Sequence, residues 1–337
     1  MRIVALVEKP DHVSCRYRLA AFQPYFEAAG HRLEFHRWPR SCFSRLRISR
    51  TIEQADAVIV QRRLLPPPLL YQLRSRTRRL IFDFDDAVFL RNSYSKKGLA
   101  SPQRLLAFAA MCESADVLVP GNAHLRDQAV RWTSPDRIHV IPTCVDARSY
   151  PLSRHERTRE GVQLAWVGST STLRGLERIA EILERVGREC PGVLLKVICK
   201  RYPKFRDLPV LERHWRADTE AAELADADIG VSWMPDDGWS LGKCGLKVLQ
   251  YMAAGLPVIA NPIGVQAQLV RHGENGFLVQ TPQQWVDAVT RLMNDRDLRA
   301  RMGAAGRRRI EEEFSVRSMA AAWLNVLTPA RQRRAAA

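Results

Sequence analysis

Two stretches of this 337-residue chain bring phosphate-binding chemistry to the start of a helix. The first is Gly168-Ser169-Thr170-Ser171-Thr172-Leu173-Arg174-Gly175, which follows an apolar run at 163–167 and opens a helical pattern at 176–189. Backbone N–H groups at a helix start have no intrahelical acceptor and carry the positive end of the peptide dipoles, so with flanking hydroxyls they suit an anion. Arg174 adds a charge-assisted contact in this reading; a plain capping turn is the alternative. The loop matches neither the G-x-G-x-x-G dinucleotide pattern nor the P-loop, which argues against NAD and ATP.

The second stretch is Lys243-Cys244-Gly245-Leu246-Lys247-Val248-Leu249-Gln250-Tyr251-Met252-Ala253-Ala254-Gly255-Leu256-Pro257-Val258-Ile259-Ala260. A glycine-bearing turn starts a helix here. Lys243 precedes it, Lys247 lies one turn inside, and Gln250 follows three residues later on the same face. A diphosphate at this helix start would meet N–H groups and a lysine, and Gln250 would reach ribose hydroxyls.

Asp83-Phe84-Asp85-Asp86 closes an apolar strand run at 80–84. Two aspartates spaced by one residue suit a metal ion, whereas strand-end and helix-cap aspartates are the alternative. Arg16, Tyr17 and Arg18 open a helix after the first strand, and Asn122 stands at an N-cap after the strand at 117–120.

The elements that carry these groups alternate. Apolar runs at 3–7, 57–61, 80–84, 117–120 and 138–141, with an alternating run at 31–36, predict strands, and the segments 17–29, 69–76, 102–114 and 122–131 read as helices between them. Polar residues 147–161 read as a linker, and strand–helix alternation resumes at 163. This predicts an α/β protein of two parallel-sheet domains, each of ~150 residues.

The glycine-bearing helix and its surroundings resemble the donor-binding signature of family 4 glycosyltransferases, whose usual form is Glu, seven residues, Glu, then "AMA-GLPV-A". The similarity continues through Asn261-Pro262-Ile263-Gly264 and Arg271-His272-Gly273-Glu274-Asn275-Gly276-Phe277-Leu278-Val279. It is strong over 160–325 and looser over 1–150. Two departures stand out. The first signature glutamate falls on Gly242 and the second, the ribose contact, on Gln250. The aspartates at 236 and 237, just upstream, would substitute for the missing carboxylate, with a solvated loop as their other reading.

The resemblance implies a GT-B fold, two Rossmann-like domains facing across a cleft. The acceptor would bind to residues 1–150 and a nucleoside-diphosphate sugar to 162–315, with 316–337 packing back toward the first domain. It implies a retaining transfer of a sugar to an acceptor hydroxyl, with no cofactor and no metal. The donor-binding residues would be Gly168, Ser169, Thr170, Arg174, Lys243, Cys244, Gly245, Leu246, Lys247 and Gln250. Arg16, Tyr17, Arg18 and Asn122 would meet the acceptor. Asp85 and Asp86 fall where many members carry a His-Asp pair, so a catalytic role is expected of them. A degenerate nucleotide-sugar-binding protein without activity and a sugar-nucleotide epimerase are the alternatives.

Composition sets the outer bounds. Seven scattered cysteines form no C-x-x-C pair, and no apolar run approaches the ~20 residues of a membrane-spanning helix, which suggests a cytoplasmic protein. The net charge is +16, with 24 Lys/Arg against 14 Asp/Glu in the first 150 residues. Eleven arginines fall between 37 and 79, opposed only by Glu53 and Asp56. Such a surface attracts polyanions. No nucleic-acid-binding motif accompanies it, so nucleic acid is not the expected partner. A glycan or lipid-linked acceptor in polysaccharide, lipopolysaccharide or glycolipid synthesis is, with peripheral attachment to an anionic inner-membrane surface.

Overall fold

A computed structural model describes residues 1–38, 42–155 and 161–328, and for 42–47 the backbone only. Arg40, the side chains of Arg45 and Arg47, linker residues 156–160 and the basic tail at 331–337 lie outside the described residues. The chain forms two compact units. The first comprises Met1–Cys144, Asp237–Cys244 and the chain from Val316 onward; the second comprises Val145–Asp236 and Gly245–Ser315.

The first unit is built on five parallel strands: β1 (Arg2–Val7), β2 (Arg32–Arg37), β3 (Ala57–Gln61), β4 (Leu80–Phe84) and β5 (Val117–Pro120). Their order is β2-β1-β3-β4-β5. The central strands are apolar almost throughout because helices cover both faces. Val4, Leu6, Val60, Phe82 and Phe84 pack under Phe108 and Met111 on one side. Ile3, Ala5, Val7 and Ile59 face Phe22, Phe26 and Trp323 on the other. Trp323, from the last helix Val316–Leu327, is fully buried, with ring centroids 6.1 Å from Phe22 and 6.2 Å from Phe26.

The second unit has six parallel strands: β6 (Val162–Val167), β7 (Val193–Cys199), β8 (Val210–His214), β9 (Ile229–Ser232), β10 (Val258–Ala260) and β11 (Gly276–Leu278), in the order β11-β10-β9-β6-β7-β8. In each sheet the chain runs outward from its first strand to one side and then crosses to the other. The reversals fall between β1 and β3 and between β6 and β9. Open α/β sheets bind ligands beyond the carboxyl ends of the strands at such points.

Two expected elements differ. The helix read over 17–29 is broken into Val13–Arg18, a single turn at Ala20–Phe22, and Gln23–Ala28. Pro24 has no N–H to continue the ladder and instead starts the last piece. Residues 138–141 form only one bridge, Ile138 to Leu118. The N–H groups of His139 and Ile141 do donate to the carbonyls of Leu118 and Pro120 (2.9 and 3.1 Å). A parallel ladder here would also need an N–H from residue 120, which proline lacks. Among the described residues no helix is long and apolar enough to cross a membrane.

Candidate functional site

In the second unit the reversal point is a built feature. β6 and β9 pair only at Leu164–Ile229 and Ala165–Gly230 and then part. Their parting removes partners from the next backbone groups, and Tyr251 replaces them. Its hydroxyl accepts from the Val167 N–H (3.1 Å) and donates to the Val231 carbonyl (3.2 Å). Gly230 is required there, because any Cβ would overlap the Tyr251 ring. Tyr251→Phe should therefore leave two buried backbone groups unsatisfied and cost about 1–3 kcal/mol, readable as a lower denaturation midpoint; an unchanged midpoint would refute the bridging role.

Beyond β6, Gly168 turns the chain against the Trp166 indole. A Cβ at 168 would lie 2.6 Å from that ring and 2.7 Å from the Thr172 hydroxyl oxygen. Ser169 caps the helix Thr170–Arg178, with its N–H donating to Thr172 Oγ1 (3.1 Å). Ser169, Thr170 and Arg174 are exposed, so the first turn opens to solvent at the carboxyl end of the sheet. The second predicted helix start reaches the same indole: Lys247 Nζ lies 5.2 Å from the Trp166 ring centroid. Gly245 caps that helix, Leu246–Ala253, in a left-handed conformation (φ 68°), and a Cβ there would collide with Leu269 and Val265. Leu246 and Lys247 form its first turn. The structure thus brings Gly168, which leads into Ser169 and Thr170, and Lys247 against Trp166, a residue that the sequence alone marks only as strand core.

Gln250 departs from expectation. It is 3% exposed and donates its amide to the Tyr150 hydroxyl (3.2 Å). Its position one turn deeper puts it under the helix rather than at the surface, so a ribose contact would need that bond to be given up.

In the first unit the carboxyl ends of β1, β3, β4 and β5 carry a cluster of three aspartates and three cations. Asp83 is wholly buried. Its Oδ1 accepts from Arg18 Nε (3.0 Å) and its Oδ2 from Gln61 Nε2 (3.0 Å). Those bonds take Asp83 out of any metal-binding pair with Asp85. Arg18, only 1% exposed, also donates to the carbonyls of Ile141 (2.6 Å) and Val119 (3.2 Å). Burial opposes its charge, but Asp83 more than offsets this and holds the guanidinium above its ordinary value. The acceptor role expected for Arg18 is accordingly corrected: it is an internal strut. Tyr17 is buried beneath the Arg16 guanidinium, 5.3 Å from the ring centroid.

Arg62, directly after β3, is visible in the sequence only as one of a basic run. It adopts a left-handed conformation (φ 58°), uncommon for a residue with a side chain. Its N–H donates to the Asp83 carbonyl (2.7 Å). Its guanidinium donates to Asp86 and to the Ser14 hydroxyl and lies 3.3 Å from Asp85 Oδ1. Lys243 Nζ completes the cluster, 2.7 Å from Asp86 Oδ1 and over the Trp239 ring at 4.6 Å. Burial pushes Asp85 up, but Arg62, Arg18 and Lys243 together pull it below the usual carboxylate range. It is ionised at neutral pH, and its Oδ1 accepts no hydrogen bond from the described residues.

Three further expectations are corrected here. Asn122 caps its helix by accepting from the Leu125 N–H (2.9 Å), while its amide donates to the carbonyls of Leu241 (3.2 Å) and Lys243 (2.9 Å). It clamps that turn rather than facing an acceptor. Cys244 lies against Gly121, where a Cβ would overlap its sulfur, and burial, then Asp85, push its thiol far above the ordinary range. Lys243 is committed to Asp86 rather than presented at the helix start. Gly242 has a physical reason: a Cβ there would lie 2.7 Å from both the backbone nitrogen and the Cβ of Ala87. The position that resembles a signature glutamate has no room for a side chain.

Residues 239–309 match the family model of group 1 glycosyl transferases. That stretch contains both the helix start at Leu246 and the Lys243 turn. The chain is 35% identical over 262 residues to the GDP-mannose-dependent alpha-(1-6)-phosphatidylinositol monomannoside mannosyltransferase of Mycobacterium tuberculosis, covering 74% of this chain and 63% of that protein. It is 29% identical over 262 residues to the D-inositol 3-phosphate glycosyltransferase of Xylanimonas cellulosilytica, covering 69% of this chain and 61% of that one. The matches thus span less than two thirds of these relatives. Among solved structures, sucrose-phosphate synthase from Thermosynechococcus elongatus superposes with a TM-score of 0.73 at 16% identity, over the whole of both chains. Anabaena HepE, solved with UDP and glucose, gives 0.72 at 15% identity, covering 97% of this chain and 99% of that one. The fold class is GT-B.

Proposed function

We propose that the protein is a retaining, family 4 type glycosyltransferase that moves a sugar from a nucleoside diphosphate to an acceptor hydroxyl. The observation that carries this reading is the convergence on Trp166 of an exposed helix start and Lys247, at the point where the second sheet reverses. The named relatives support the chemistry, and the HepE complex supports the choice of ligand class.

In this reading the diphosphate sits beyond β6, on the first turns of Thr170–Arg178 and Leu246–Ala253, with Lys247 beside it. Fixed N–H groups and a lysine there stabilise the charge that develops as the sugar–phosphate bond breaks. Asp85, held beside the Arg62 guanidinium (3.3 Å), orients the acceptor hydroxyl. A carboxylate held below its usual range is a weak base, so the hydroxyl proton passes to the departing phosphate. No metal or cofactor takes part. A glycan or lipid-linked molecule is the acceptor.

The buried Gln250 and the side-chain-free Gly242 favour one second reading, a protein that binds nucleotide sugars without transferring them. A thermal-shift screen with UDP, GDP and their sugar conjugates separates the possibilities. Binding to the folded state alone, at a hundredfold excess over Kd, adds about 2.7 kcal/mol of stability. Stabilisation with one base, followed by release of that nucleoside diphosphate when an acceptor is added, is the expected result. Stabilisation without transfer favours the second reading, and no stabilisation at millimolar ligand overturns both.

A further inference from the structure

We infer that the first unit carries a docking lip for an anionic lipid surface, formed by the first two turns of the helices Pro67–Arg76 and Pro102–Ser114. These helices follow β3 and β4, so both begin at the carboxyl end of the sheet, the end that carries Arg62 and Asp83–Asp86. They pack against each other and both run away from that end. Each presents apolar side chains to solvent: Tyr71 is 76% exposed and Leu106 69%, with Leu105 and Pro66–Pro68 also exposed. A protein surface leaves single apolar residues exposed without consequence. Here they are grouped at one end of two adjacent helices.

The charge around them selects the occupant. The stretches that form these helix starts and lead into them, residues 63–71 and 87–106, carry Arg63 and Arg91 but no Asp or Glu, and the acids between them, Asp83, Asp85 and Asp86, lie at the end of β4. All three acids are engaged by Arg18, Arg62 and Lys243 within the cluster. The loop between β4 and the second helix adds exposed Lys96 and Lys97. Arg104 stands in the first turn and donates to the carbonyls of Val88 and Leu90, bonds that leave its charge uncompensated. Apolar tips ringed by cations without carboxylates match the boundary of an anionic bilayer, where the rings and leucines enter the acyl edge and the cations meet phosphates. A protein partner would have to supply both a matching apolar pocket and a ring of acids.

This inference deepens the proposed function by naming where a lipid-linked acceptor would reach the protein. Its test reads vesicle binding rather than transfer, so the two can fail separately. The full chain is sedimented with vesicles of phosphatidylcholine alone and of phosphatidylcholine mixed with phosphatidylglycerol. Binding is expected only with the anionic lipid. Lys96→Glu/Lys97→Glu and Tyr71→Ser/Leu106→Ser should each lower the bound fraction about tenfold or more, with melting temperatures unchanged. Arg301→Glu/Arg308→Glu, which makes the same change of charge on the exposed surface of the second unit, should leave binding within about twofold. Equal loss in this control would assign the effect to net charge and overturn the lip, as would undiminished binding of the two lip variants or an absence of binding to anionic vesicles.

Discussion

Replacing Arg18 by methionine is expected to destabilise the first unit by roughly 3–5 kcal/mol, the usual result of removing one partner of a buried ion pair. The substitution keeps much of the volume and removes only the guanidinium. Asp83 then lies wholly buried with Gln61 as its single side-chain partner, and the carbonyls of Ile141 and Val119 lose a donor. Adding Asp83→Leu should restore a large part of the loss, since an apolar pair of similar volume is often no worse than the ion pair it replaces. The restoration stays incomplete because the carbonyls of Ile141 and Val119 still lack the Arg18 donor and the Gln61 amide has lost Asp83. The pH dependence follows in sign. Burial already raises Asp83 above its ordinary value with Arg18 present, and removing the cation raises it further. A carboxyl group with a raised folded pKa favours the folded state below its unfolded value, about 3.9. That advantage is lost as pH rises through the folded value. The deficit of Arg18→Met should therefore be smaller near pH 4 than at pH 7. Guanidinium midpoints of the single and double variants at the two pH values measure all of this, and a single-variant loss under about 1 kcal/mol would show that the pair is not the strut described.

How far such a cluster can be read from a sequence depends on which physical signal its parts leave. The strands at 57–61 and 80–84 are buried on both faces and so appear as unbroken apolar runs. The helix from Leu246 announces itself by a glycine at its cap and an amphipathic run behind it. Asp85 and Asp86 stand out because carboxylates closing an apolar strand are unusual. Arg62 leaves no such mark. Its importance comes from a left-handed backbone and from strand order, which sets the end of β3 beside β1, and neither property is local in sequence. Trp166 reads as strand core, and by burial it is; what makes it part of the site is that Gly168 and Lys247, 79 residues apart in the sequence, lie against the same ring. β8 is an edge strand whose residues are half-buried or exposed, so it lacks an apolar run. The helix Cys42–Glu53 is hidden by its arginines, which read as basic surface. Arg18 and Asn122 mislead for one reason: polar residues near a site look like ligand contacts until their internal partners are known.

On the proposed transfer reaction, Lys247→Met is expected to lower kcat by about 10²–10³ while changing the KM for the nucleotide sugar far less, the pattern of a group that acts chiefly as charge develops on the leaving diphosphate. Three features single out Lys247. It belongs to the first turn of Leu246–Ala253, where the helix already favours an anion. Its ammonium lies over the Trp166 ring, against which Gly168 turns the chain at the other helix start. Lys243, the other lysine of the segment, is occupied by Asp86 in the first unit, so it cannot serve the same phosphate without abandoning that carboxylate. Lys247→Arg, which keeps the charge but spreads it over a planar fork, should recover part of the rate. A structural role for Lys247 would instead lower stability, and the melting temperature without ligand distinguishes that case because it should be unchanged in both variants. If Lys247→Met turns over at the wild-type rate, the leaving group is stabilised by the backbone and Arg174 alone, and the two helix starts do not act on one diphosphate.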